Sequence, residues 1–139
     1  MIVLDTNVIS EAMRDAADGR VIAWIDAQAI ETLFITAITL AELRFGILSL
    51  PVGKRREGLL ERLEHRVLPV FAGRILAFDL AASANYADLM ASARRGGRAI
   101  GRDDGYIAAI ASTHGMSVAT RDTSPFEAAG VPVIDPWSG

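Results

Sequence analysis

The chain has 139 residues, of which 51% are hydrophobic and 22% are charged, and it contains no cysteine. This composition is typical of one globular domain spanning residues 1–139, and it excludes disordered, collagen-like and disulfide-stabilised proteins. The lack of cysteine excludes zinc-thiolate sites and thiol nucleophiles, and the formal net charge of −3 argues weakly against a general polyanion binder.

Apolar runs of strand length alternate along the chain with amphipathic stretches of helix length, a pattern typical of a parallel sheet covered by helices. No signal peptide is visible and no apolar run is long enough to span a bilayer, so we expect a cytoplasmic protein that makes no membrane contact. The predicted strands are residues 2–5, 33–36, 75–78, 117–120 and 131–134, and the predicted helices are residues 7–14, 20–30, 39–49, 54–67, 80–95 and 103–114. The sequence therefore predicts an α/β fold with a central parallel sheet of four to five strands flanked by helices.

Asp5, Thr6 and Asn7 follow the first predicted strand and open the first predicted helix. Each of these residue types can cap a helix, so capping explains any one of them. One cap needs only one residue, however, and the carboxylate of Asp5 is left at the carboxyl edge of the predicted sheet. Open α/β sheets bind their ligands at this edge.

Other acidic positions also have a structural explanation when each is taken alone. Thr39 and Glu42 have the spacing of a capping box at the start of an apolar helix. Asp103 and Asp104 suit the first turn of a helix, where a negative charge complements the helix dipole. Asp122 suits an ordinary turn.

Taken together, the acidic residues predict a metal site. Asp5, Asp104 and Asp122 fall just past a predicted strand or just before a predicted helix, on one edge of the sheet. Glu42 begins a predicted helix on the same side. Converging carboxylates repel each other, and each raises the pKa of its neighbours unless a cation neutralises them. Mg2+ and Mn2+, which prefer carboxylate oxygen and water, are the expected ions.

A basic run over residues 94–102 precedes Asp103 without an intervening acidic residue. This run is either a solvated helix end with a flexible loop or a set of phosphate contacts, because guanidinium groups bind backbone phosphates without reading sequence. Arg98 and Arg102 are the candidate phosphate ligands. A second basic patch, Lys54–Arg56, is interpreted as solvated surface.

Four segments of the chain resemble the PIN-domain ribonucleases, specifically the VapC-type toxins of bacterial toxin-antitoxin pairs and, among them, the FitB-like branch. The resemblance extends over nearly the whole chain. The segments are IVLDTN at residues 2–7, TLAEL at residues 39–43 with Gly46 after it, DGYIAAIA at residues 104–111 and ATRD at residues 119–122. Each segment alone is a weak signal, and together they are specific.

The resemblance implies a metal-dependent endoribonuclease with a PIN-like fold. The metal-binding acids of the family correspond to Asp5, Glu42, Asp104 and Asp122, and its accessory hydroxyls correspond to Thr6 and Thr120. The family pattern thus selects Asp104 over its neighbour Asp103. The resemblance also implies an RNA substrate, a homodimer, and a cognate antitoxin through which the complex binds promoter DNA.

Two other readings of the same residues remain open. In the first, the protein is mainly a non-catalytic, dimerising subunit of an antitoxin-toxin repressor complex. In the second, it is a related metal-dependent nuclease acting on DNA flaps, although the chain lacks room for the insertions that thread a strand in such enzymes. The segment from Ile38 to Leu50 is richer in large hydrophobic residues than one helix face needs, which predicts that part of it lies in a homodimer interface.

Overall fold

The computed structural model describes residues 1–138 and has a parallel sheet of five strands at its centre. The strands are β1 (Ile2–Leu4), β2 (Leu33–Thr36), β3 (Ile75–Leu76), β4 (Ser117–Ala119) and β5 (Val133–Ile134). Their order across the sheet is β3-β2-β1-β4-β5, and every neighbouring pair is parallel. The predicted α/β fold with a parallel sheet is confirmed, although several strands end one or two residues before their predicted ends.

Each predicted helix has a counterpart in the structure, usually with slightly different ends. The α-helices are α1 (Thr6–Ala12), α2 (Gly19–Asp26), α3 (Ala37–Leu48), α4 (Lys54–Arg62), α5 (Leu80–Arg95), α6 (Arg102–Thr113) and α7 (Ser124–Ala128). After α4 the chain continues through a π-helical turn, Leu63–Val67, and a 3-10 turn, Leu68–Phe71. None of the helices within residues 1–138 is both long enough and apolar enough to cross a bilayer.

Helices cover both faces of the sheet, because the central strand is apolar on both sides. Val3 and Leu4 are successive residues of β1, so their side chains point to opposite faces. Leu4 packs in one buried cluster with Val8 of α1, whereas Val3 packs in a second cluster with Ile107 of α6. A strand buried on both faces is apolar at successive positions, as the start of this chain is.

The strand order changes direction at β1, and this change determines where a site can form. The chain passes from β1 to β2 on one side, while β4 lies on the other side of β1. Such a reversal opens a crevice at the carboxyl ends of the two adjacent strands. Leu4 pairs with Ala119 at this point, so the residues that follow β1 and β4 lie next to each other.

Helices α5 and α6 pack closely where α6 carries a glycine in its first turn. A Cβ atom on Gly105 would lie 2.8 Å from Met90 Sδ and 3.0 Å from Tyr86 Cε2 on α5. Both distances are too short for an ordinary contact, so a side chain at this position would require Met90 and Tyr86 to shift.

We expect Gly105→Ala to be less stable than the matched variant Gly58→Ala by about 1–3 kcal/mol, the usual cost of overpacking. Gly58 lies within α4 with open space around its Cα, so alanine there should raise the free energy of unfolding by up to about 1 kcal/mol through helix propensity. Urea unfolding of both variants measures the difference. An equal rise in the free energy of unfolding of both variants would contradict this prediction, because it would mean that Met90 and Tyr86 move aside without loss of stability.

Candidate functional site

Asp5 is both the cap of α1 and a buried carboxylate at the carboxyl edge of the sheet. Its Oδ1 accepts a hydrogen bond of 2.8 Å from the backbone N–H of Thr6, and its own backbone N–H donates to Ala119 O at 2.9 Å. Only 5% of the residue is exposed. The capping role and the site role are therefore compatible, because the cap occupies one carboxylate oxygen and leaves the other free to face β4.

Thr120, which follows β4 and is fully buried, holds the second oxygen of Asp5. Its Oγ1 donates to Asp5 Oδ2 at 2.8 Å and accepts from the backbone N–H of Asp122 at 3.1 Å. Asn7 extends this network, since its Nδ2 donates to Thr120 Oγ1 at 3.3 Å and its Oδ1 accepts from the backbone N–H of Arg121 at 3.3 Å. Asn7 thus joins α1 to the turn after β4.

The sequence predicts no role for Asn7 beyond capping. Its signal was the run of three capping residues after β1, of which the structure uses Asp5 as the cap. A surplus capping residue is available for contacts across the sheet, but the sequence does not show which strand end lies opposite. The link to Arg121 becomes visible only when β1 and β4 are known to be neighbours.

Glu42 reaches the site from the second turn of α3. Thr6 Oγ1 donates a hydrogen bond of 2.7 Å to Glu42 Oε1 and lies 3.1 Å from Thr39 Oγ1. The predicted Thr39–Glu42 capping box is wrong, because the helix begins earlier, at Ala37, and Thr36 is the cap, accepting from the backbone N–H of Thr39. Thr39 and Glu42 therefore lie within the helix body, where both face Thr6.

Asp103 and Asp104 lie in the first turn of α6, which has Gly101 as its cap residue and no capping side chain. A pocket of about 370 Å3 is lined by Gly101, Arg102, Asp103, Asp104 and Glu42. Asp104 is half-buried, whereas Asp103 is exposed. Asp104, which the family pattern selects, is thus the less exposed of the two aspartates.

The remaining predicted residues lie around this pocket or outside it. Asp122 is exposed in the turn after β4 and close enough for its charge to act on Asp104. Arg102 lines the pocket. Arg98 is exposed in the loop between α5 and α6 and is absent from the lining of this pocket.

Burial and mutual repulsion raise the pKa of three acidic groups of the site, Asp5, Glu42 and Asp104. Burial raises the pKa of Asp5 from 3.8 to about 6, and the charges of Asp104 and Glu42 contribute further. Burial is also the main cause of the raised pKa of Glu42, followed by the charges of Asp103 and Asp104. The pKa of Asp104 is raised by burial and by the charges of Asp122 and Asp103. The charges of acids from four chain segments therefore act on one another.

The donor chemistry of this cluster suits a hard divalent cation, since every candidate ligand atom is a carboxylate or hydroxyl oxygen. As the side chains stand, no three Asp, Glu or His residues within 1–138 are grouped closely enough to hold one ion directly. Mg2+ takes only one or two carboxylates directly and keeps several waters. The residues thus fit Mg2+ held partly through water.

A second, larger cleft adjoins the acidic cluster and extends between α1, α3 and α4. Its volume is about 840 Å3, and Thr6 and Glu42 belong to its lining as well as to the site. Its lining includes the apolar side chains of Leu43, Ile47 and Leu59. It also includes one further acid, Asp15, and four basic side chains: Arg14, Lys54, Arg55 and Arg62. We call it the α1–α3–α4 cleft.

Comparisons with known proteins agree with this fold. The family model of the PIN domain matches residues 2–131. The chain is 64% identical over 137 residues to VapC ribonuclease Y4jK of Sinorhizobium fredii, covering 99% of this chain and 98% of that protein. It is 51% identical over 137 residues to Toxin FitB of Neisseria gonorrhoeae, covering 99% of each. A solved structure of FitAB bound to an IR36 DNA fragment has a TM-score of 0.94 and 50% identity, covering 99% of this chain and 96% of that chain.

We expect the Asp5 carboxylate to destabilise the metal-free protein as it ionises. Because folding raises its pKa from 3.8 to about 6, the folded state binds the proton more tightly, and stability falls as the pH rises through that interval. With a chelator present, the free energy of unfolding of Asp5→Asn should therefore rise relative to that of the wild type by on the order of 3 kcal/mol between about pH 4 and pH 6.5.

Urea unfolding across this pH range measures the gain. Asp18→Asn is the matched control, because the hydrogen bond from Arg20 lowers the pKa of Asp18 to about 2 and removing that carboxylate brings no gain as the pH rises. A stability difference between Asp5→Asn and wild type that stays constant with pH would contradict the raised pKa.

Proposed function

The chain belongs to the PIN-domain family, and we propose that it is a metal-dependent endoribonuclease acting as the toxin of a toxin-antitoxin pair. The observation that carries the proposal is the acidic cluster at the carboxyl edge of the sheet, with the buried Asp5 at its centre and Glu42 and Asp104 acting on its charge. The names of the relatives support the reaction class, because one is a ribonuclease and another a toxin.

Asp5, Glu42 and Asp104 would hold Mg2+, with Asp122 bound to it directly or through water, and Mn2+ would substitute. When bound, such an ion supplies an activated water and neutralises the charge that develops on the scissile phosphate. Thr120 holds Asp5 in place by donating to its Oδ2. Thr6 does the same for Glu42 through its Oε1.

The reaction is hydrolysis of a phosphodiester bond. The water oxygen forms a bond to phosphorus, the bond from phosphorus to the 3′ oxygen breaks, and that oxygen leaves with a proton. Arg102 lines the pocket beside the acids and is suited to contact a phosphate oxygen. Neither histidine serves as a general base here, since His65 is exposed beside Glu61 and His114 ends α6, about 15 Å from Asp104 by helical rise.

An exposed apolar stripe supports the proposed homodimer. Phe45 and Leu48 on α3 are 75% and 51% exposed, and Val52 just beyond the helix is 83% exposed. Large apolar side chains exposed together mark interaction surfaces. Part of this stripe lies within the segment from Ile38 to Leu50 in which the sequence analysis placed the interface.

The proposed partners also include a cognate antitoxin, through which the complex would bind promoter DNA in the cytoplasm. The FitAB structure bound to a DNA fragment supports this part of the proposal. A basic side chain of the antitoxin would neutralise the acidic cluster in place of the metal, because a buried carboxylate needs a partner charge. The same neighbour favours the second candidate function, a mainly non-catalytic dimerising subunit of a DNA-binding repressor complex.

Cleavage by the purified chain, freed of any partner, separates these two functions. We expect Asp104→Asn to lose nearly all Mg2+-dependent cleavage of single-stranded RNA, because this half-buried acid would hold Mg2+ together with Asp5. Asp103→Asn, the matched control, should keep the activity and cost at most about 1 kcal/mol of stability, because Asp103 is exposed in the first turn of α6.

Gel assays of cleavage and mass spectrometry of the products give the readouts. Products with 5′-phosphate and 3′-hydroxyl ends are expected from attack by water. Absence of metal-dependent cleavage in the wild type would favour the non-catalytic role, and 2′,3′-cyclic phosphate ends would contradict the mechanism.

We also expect millimolar Mg2+ or Mn2+ to raise the Tm of the wild type. The ion relieves repulsion among carboxylates that are close together only in the folded state, and mass action then favours that state. Asp5→Asn should lose most of this increase, whereas Asp18→Asn should respond like the wild type. Differential scanning fluorimetry measures it, and an unchanged wild-type Tm would rule out the shared site.

A further inference from the structure

The α1–α3–α4 cleft is lined by acidic and basic side chains as well as apolar ones. Glu42 and Thr6 lie where the cleft meets the proposed active site, and Lys54 and Arg55 of the first turn of α4 also line it. The remainder of helix α3 lies between Glu42 and these cations in the chain. From Glu42 to Leu48, its last residue, the helix rises by about 9 Å. Glu42 and the two cations of α4 thus line one open cleft.

Two of the four cations that line this cleft are already neutralised within the protein. Arg14 pairs with a carboxylate of α1 at 3.2 Å, and Arg62 pairs with a carboxylate of the following loop at 3.1 Å. No ion pair within residues 1–138 includes Lys54 or Arg55, and both side chains are exposed. Their charges are therefore available to a ligand.

Helix stability does not explain cations at this position. Lys54–Arg56 occupies the first turn of α4, where positive charges face the positive end of the helix dipole and cost stability. The sequence predicts solvated surface for this patch, which accounts for its exposure but not for the place of Lys54 and Arg55 in the lining of the cleft. A locally unfavourable arrangement without a structural gain is typical of a functional surface.

We propose that Lys54 and Arg55 bind backbone phosphates of single-stranded RNA and hold the strand along the α1–α3–α4 cleft, so that another phosphate of the strand reaches the acidic site. This inference rests on the proposed function. The protein carries a net charge of −3 and its acidic cluster repels phosphate, so attraction must come from a local basic surface. Lys54 and Arg55 are positioning residues and do not touch the reacting atoms.

The test is binding of a short, fluorescein-labelled single-stranded RNA of mixed sequence, measured by anisotropy in a chelator so that no cleavage occurs. Lys54→Gln and Arg55→Gln should each weaken binding and lower the slope of log affinity against log salt concentration by about 0.7, the value for one phosphate contact on a single strand. Arg66→Gln is the matched control, because Arg66 is an exposed cation outside the lining of the cleft.

Cleavage kinetics with Mg2+ provide the second readout. Both cleft variants should raise KM and leave kcat close to the wild-type value, since they remove binding of the strand and not the chemistry. If the variants lose RNA affinity while the wild type cleaves no RNA, the proposed RNA contacts of Lys54 and Arg55 stand and the proposed nuclease function fails.

If the wild type cleaves RNA and the variants match Arg66→Gln in affinity, salt slope and KM, the inference is overturned and the nuclease function stands. Variants that keep their RNA affinity but lose a partner protein that co-purifies with the wild type would also overturn it, because the cleft would then serve a protein.

Discussion

The hydrogen bond from Thr120 Oγ1 to Asp5 Oδ2 joins the carboxyl ends of the two central strands, and the geometry of the acidic edge depends on it. The other oxygen of the same carboxylate caps α1. One buried side chain therefore fixes the start of a helix, connects β1 to the turn after β4, and carries the charge around which the other acids are arranged. Any change at Asp5 acts on all three at once.

The acidic cluster shows how the fold tolerates an arrangement that opposes its own stability. Carboxylates that repel each other in a buried position cost folding free energy, as the raised pKa of Asp5 records. The apolar clusters on both faces of the sheet, together with the hydrogen bonds from Thr6 and Thr120, hold the cluster in place. Strain of this kind persists at functional sites where the surrounding structure determines the geometry.

Much of the fold could be predicted from the sequence because its elements are long or strongly patterned. Helix α5 has its predicted bounds. Asp5, Asp104 and Asp122 could be selected because each follows a strand or begins a helix, whereas Glu42, predicted at a helix start, lies in the second turn of α3. What could not be predicted depends on tertiary contacts. The capping of α3 by Thr36 and the link from Asn7 to Arg121 depend on which strand ends are neighbours, and α7, with five residues, is too short for a periodic pattern.

The alternation of Val3 and Leu4 couples correct folding to assembly of the site. A shift of one residue in the pairing of β1 would move Val3 to the face of Leu4 and exchange the side chains of the two apolar clusters. The same slip would carry Asp5 away from Ala119 and Thr120. A misregistered chain would thus lose its core and its acidic edge together. A slip of β1 therefore cannot produce a stably folded molecule that lacks the acidic edge.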